Sequence, residues 1–168
     1  PARALEARFE RGFFRIDEFL MAISGACHRF EVRGRAPVAG PDAELPLPGL
    51  PHLGSGISWL RDGRRVLATP HLETGAVSII DIEDWRVIET IETLGPGFFL
   101  RSHENTPFAW TDTSLGPERD QIQIIDKRTL EVVRTLRPAP GRLTSHVEFT
   151  RDGRYALVSV AEADGALI

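Results

Sequence analysis

Two histidines, His71 and His103, stand in polar segments between apolar runs. Imidazole titrates near neutral pH, so each can give or take a proton, and its cationic form can hold an anion. His103 belongs to a dense polar group, Arg101-Ser102-His103-Glu104-Asn105, set between Phe98-Phe99-Leu100 and a second candidate strand, Pro107 to Asp112. If the loops bearing His71 and His103 lie side by side, the two rings converge on one small anion. The structural alternative is that each histidine caps its own loop through backbone hydrogen bonds. Arg101 offers a planar fork for a carboxylate, either a ligand's or that of Glu104 or Asp112. Arg142 is a second basic residue in a loop. Glu148, two residues after His146, either orients that imidazole or faces solvent. His71, His103 and His146 lack the short spacing of zinc ligands, and no metal site is expected. Ser24-Gly25-Ala26-Cys27-His28 has serine where a c-type haem attachment motif has its first cysteine, so no covalent haem c is expected.

The composition frames these residues without deciding among them. The chain has 168 residues and a net charge of -4, with 42% hydrophobic and 26% charged residues. That is enough chain for a real core, with no basic excess to suit nucleic acid. No apolar run approaches the roughly 20 residues of a membrane span. One cysteine excludes an internal disulfide framework.

Three regions are expected. Residues 1–22 read as an amphipathic helix, with Leu5, Phe9, Phe13, Ile16 and Leu20 on one face. Residues 23–50 are a Pro/Gly-rich connector. From 51 to 168 short β-branched runs alternate with turns. Val77-Ser78-Ile79-Ile80-Asp81 is echoed 45 residues later by Ile122-Gln123-Ile124-Ile125-Asp126. Arg61-Asp62-Gly63-Arg64 is echoed 90 residues later by Arg151-Asp152-Gly153-Arg154. A period of 40–50 residues with four short strands per unit describes a β-propeller. The fold class is therefore all-β, a partial propeller of about three to four blades with an N-terminal helix. Too few blades are present to close a ring, so a piece of a longer chain is expected.

Four stretches carry a resemblance to a known family: Pro51-His52-Leu53-Gly54-Ser55-Gly56, Ala68 to Gly75, Gly95 to Thr113, and His146 to Leu167. They resemble the eight-bladed haem d1-binding propeller of cytochrome cd1 nitrite reductase and its haem d1 maturation paralogues. The resemblance implies haem d1 as cofactor, with His71 and His103 as the distal catalytic pair above bound nitrite. It implies that Arg101, His52, Arg142 and His146 lie along the cofactor-binding rim. The main expectation is reduction of nitrite to nitric oxide, which consumes two protons. One alternative is a maturation protein that binds haem d1 or oxidises its dihydro precursor; another is a non-catalytic propeller fragment or interaction module. Implied partners are the missing blades or a full-length homologue and an electron-donating cytochrome. The implied compartment is the periplasm.

Overall fold

The computed structural model describes residues 45–161 and 166–167. The helix expected over 1–22, and most of the connector expected over 23–50, lie outside the described residues.

The short β-branched runs form three antiparallel meanders. The first comprises β1 (Ile57–Arg61), β2 (Arg64–Pro70), β3 (Ala76–Asp81) and β4 (Arg86–Glu92). The second comprises β5 (Leu100–Ser102), β6 (Phe108–Asp112), β7 (Ile122–Asp126) and β8 (Val132–Leu136). The third comprises β9 (Thr144–Phe149), β10 (Ala156–Val160) and the short β11 (Ala166–Leu167). Within each sheet the strands pair in sequence order. Among the described residues there is no α-helix, only a 3-10 turn at Leu53–Ser55.

The 45-residue echo is structural. The ladder slips between Ile79 and Ile80 in β3, and between Ile124 and Ile125 in β7. Asp81 Oδ1 accepts the amides of Glu83 and Asp84, and Asp126 Oδ1 those of Arg128 and Thr129. The left-handed turn residues Trp85 and Leu130 follow at the same offset. Short apolar runs end at an aspartate because its carboxylate closes the turn that the next strand needs.

Burial explains the composition of each strand. All six residues of β3 are buried, as are four of the five in β7, because each lies inside its sheet with side chains covered on both faces. One apolar core joins the first two sheets through Val66, Ala68, Val77 and Ile79 against Leu100, Ala109 and Ile125. A second joins the last two through Ile122, Val147 and Val158, with Trp110 edge-on to Phe149 at 5.9 Å.

The two ends of the strands differ. At one end lie the tight β1–β2, β5–β6 and β9–β10 turns, here the turn end. There, side chains of one sheet donate to carbonyls of the next. Trp59 Nε1 reaches Lys127 O at 3.1 Å, Arg61 Nε reaches Arg128 O at 3.0 Å, and Asn105 Nδ2 reaches Asp152 O at 3.3 Å. At the other, the loop end, lie the β2–β3 and β6–β7 loops and the links between sheets. Backbones meet there directly: a Cβ on Gly95 would stand 3.1 Å from Gly116 Cα.

Asp81 also takes a two-pronged contact from Arg64, with Nε 2.7 Å and Nη2 3.1 Å from its oxygens. That hydrogen bond, aided by the two turn amides, holds the Asp81 carboxyl below its ordinary value despite burial. A depressed carboxylate adds stability above its unfolded pKa, and that stability is lost as pH falls through the folded pKa. Asp81→Asn should therefore lower stability by about 2 kcal/mol at neutral pH. Urea midpoints of wild type and variant should converge below pH 3.8.

Candidate functional site

The first strands of the three sheets, β1, β5 and β9, pack in succession, and among the described residues each pairs on one side only. Their free edges carry a continuous set of rings and charges. His52, just before β1, lies 4.2 Å from the Phe98 ring and its Nδ1 is 2.7 Å from Phe98 O. Phe98 and Phe99, just before β5, lie 4.9 Å apart. The Phe99 ring stacks on His146 of β9 at 4.1 Å, within 8° of parallel. The Arg101 guanidinium lies over Phe99 at 5.9 Å. One oxygen of Glu148, Oε1, stands 3.3 Å from Arg101 Nε and 3.5 Å from His146 Nε2. Phe98 is 36% exposed and the His146 side chain 47%, so the wall is open to a ligand.

Two backbone devices set this wall. The first is Asp112, fully buried at the end of β6. Its oxygens accept the amides of Phe98 at 2.9 Å and Phe99 at 2.8 Å, and both the amide and the hydroxyl of Ser114. The Phe98-Phe99-Leu100 run therefore does not extend as one strand. Phe98 and Phe99 give their donors to a carboxylate, and β5 begins at Leu100. Gly97 permits the approach, since a Cβ there would clash with Asp112 O.

The second device is a bulge in β9. Val147 pairs with Val158 and Ser145 with Ser159, so His146 is an extra, unpaired residue. Its φ is +57°. A left-handed conformation in a non-glycine residue costs roughly 1–2 kcal/mol. Bulges of this kind re-aim a side chain, and here the ring is turned onto Phe99.

Of the residues singled out from sequence, His52, Arg101 and His146 share this wall, and Arg142 occupies the exposed link leading into β9. That link is pinned by Asp120, whose carboxylate accepts Gly141 N at 2.6 Å and Arg137 Nε at 3.0 Å. Those contacts, the Gly141 amide first, hold the Asp120 carboxyl below its ordinary range.

His71 and His103 do not converge. His71 follows the second strand of its sheet and lies at the loop end; His103 follows the first strand of the next sheet and lies at the turn end. Their spacing of 32 residues is not the 45-residue repeat, and the half-turn of meander between them reverses direction. His71 has no exposed surface. Its Nε2 lies 2.9 Å from Ser78 Oγ. Its Nδ1 has no hydrogen-bond partner among the described residues. Burial lowers its pKa, keeping the ring neutral; the nearby Pro48 carbonyl acts in the opposite sense without completing a hydrogen bond. The strap above it is bonded through His52 N to Pro70 O and Leu72 N to Leu50 O, both 2.8 Å. In His103, Nδ1 accepts Asn105 N at 3.1 Å, which leaves Nε2–H to donate to Arg151 O at 3.2 Å. Nδ1 closes the turn of the second sheet, and Nε2 joins that sheet to the third.

Asp112 and the His146 bulge were not found from sequence as parts of a site. The available signals were Gly-Pro-Gly before a Phe pair, and an aspartate closing a buried strand with serine two residues on.

Successive four-stranded meanders with their first strands along a common edge define an arc of a β-propeller. The chain belongs to the Cytochrome D1 heme domain family, which matches residues 33–168. It is 59% identical over 126 residues to Dihydro-heme d1 dehydrogenase of Pseudomonas aeruginosa, covering 75% of this chain and 26% of that protein. It is 34% identical over 121 residues to Protein NirF of the same organism, covering 72% and 29%. The solved structure of dihydro-heme d1 dehydrogenase NirN in complex with DHE superposes with a TM-score of 0.69, covering 70% of this chain and 25% of that one. Hydrazine synthase of Kuenenia stuttgartiensis, 24% identical with a TM-score of 0.51 over 58% of this chain and 27% of that one, shares the fold. The chain thus spans about a quarter of the length of these curated relatives.

Three substitutions separate the backbone devices. Asp112→Ala removes the acceptor of two part-buried amides and should cost about 1–3 kcal/mol, with faster hydrogen exchange at Phe98 and Phe99. His146→Gly relieves the positive φ and should leave the urea midpoint nearly unchanged, whereas His146→Val should lose about 2 kcal/mol.

Proposed function

We propose that this chain forms part of the tetrapyrrole-binding channel of a periplasmic haem d1 maturation protein, with dihydro-haem d1 as its substrate. The observation that carries this is the 59% identity to Dihydro-heme d1 dehydrogenase over 126 residues. The wall suits such a ligand chemically. The exposed Phe98 ring and the stacked Phe99–His146 pair line a surface of aromatic rings for a macrocycle, and Arg101 presents a fork to a peripheral carboxylate. Dehydrogenation of a dihydro group removes two electrons and two protons. Two imidazoles on this wall are able to accept those protons: His146, exposed and backed by Glu148, and His52, whose Nδ1 faces the Phe98 carbonyl and leaves Nε2 as the acceptor. The electrons pass to an acceptor outside this segment. Nitrite reduction, as read from sequence, needs His71 and His103 above one anion, and they stand at opposite ends of the strands.

The test is a visible titration of the purified chain with dihydro-haem d1. Stoichiometric binding is expected, weakened at least about tenfold by Arg101→Gln and by His146→Ala. His103→Ala should lower the melting temperature and leave the affinity of the folded protein unchanged. No spectral change in a folded sample would overturn the proposal and leave a propeller segment without a tetrapyrrole site of its own.

A further inference from the structure

Resting on the tetrapyrrole reading, we propose that Glu148 is a displaceable internal carboxylate. It holds the place of the ligand's carboxylate between Arg101 and His146 and makes the site selective for ligands able to evict it.

The geometry singles out one oxygen. Glu148 Oε1 lies 3.3 Å from Arg101 Nε, which donates to it, and 3.5 Å from His146 Nε2, so two nitrogens from different sheets stand beside a single anionic atom. Both donors flank the same ring, Phe99: His146 is stacked on it at 4.1 Å and Arg101 lies over it at 5.9 Å. The anion position therefore sits at the rim of the flat apolar surface. A planar macrocycle bearing a peripheral carboxylate combines both requirements.

The three side chains are held with unequal firmness. Arg101 is 27% exposed and makes a second hydrogen bond, Nη1 to Leu100 O at 3.0 Å. His146 is aimed by the bulge and by its stack. Glu148 is 58% exposed, and its carboxylate has no hydrogen bond besides the one from Arg101 among those resolved in the described residues. Exposed ion pairs are worth little, so rotating Glu148 into water is cheap. A ligand carboxylate that is also anchored by its macrocycle can take the position, since its translational cost is met by the stacking surface. A neutral ester gains nothing from the two donors and leaves Glu148 where it is.

The probes are zinc protoporphyrin IX and its dimethyl ester, titrated into the full chain by fluorescence at pH 7. Expected in the wild type is tighter binding of the free acid than of the ester. Glu148→Gln should tighten the free acid about fivefold and leave the ester unchanged. Arg101→Gln should remove the preference for acid over ester. If Glu148→Gln weakens the free acid, or tightens both probes equally, the displacement role is overturned while tetrapyrrole binding stands. If neither wild type nor Glu148→Gln binds either probe, both proposals fall.

Discussion

The carboxylate of Asp112 sits at the end of β6, shielded from solvent, and takes its hydrogen bonds from backbone amides and a serine rather than from a cation. A buried charge is tolerable only when its acceptor capacity is filled. Here the donors that fill it belong to the segment that presents the aromatic wall. Satisfying Asp112 and positioning Phe98 and Phe99 are thus one event. His146 stacks on Phe99, and Arg101 leans over it. Removing the carboxylate would free the segment from which the other contacts take their direction.

The two ends of the strands have separate tasks. The turn end is bound from sheet to sheet by side-chain donors on backbone carbonyls, and His103 and Asn105 belong to that stitching. The loop end is closed by direct backbone contact and by the strap over His71. The turn residues Asp62, Trp85 and Leu130 hold a positive φ, and so does His146 at the bulge that turns it out of its ladder. A residue held at positive φ on an exposed inner edge gains nothing for the fold that glycine would not supply more cheaply. The side chain is what the strain is spent on.

Much of the framework was legible in the sequence because the repeat is enforced by local chemistry. Asp81 and Asp126 had to close equivalent turns, and the apolar runs before them had to lie inside sheets. Arg101, His52 and His146 were found through family resemblance, and the geometry gathers them. His71 and His103 were expected to converge; a meander alternates ends at every turn, and the loops that bear them follow strands of opposite direction. Phe98 and Phe99 looked like strand because periodicity counts apolar residues and cannot see a side-chain carboxylate competing for their amides. The bulge at His146 left no mark either, since His146-Val147-Glu148-Phe149 alternates as a regular strand does.

The central claim is that a tetrapyrrole lies against the wall from His52 to His146. The chain has five histidines, so five Hε1 resonances can be followed by NMR during titration with a diamagnetic zinc porphyrin. The account predicts large ring-current shifts for His52 and His146, and shifts near zero for the buried His71 and the turn-end His103. Large shifts at His103 with none at His146 would place the ligand at the wrong end of the strands and contradict it.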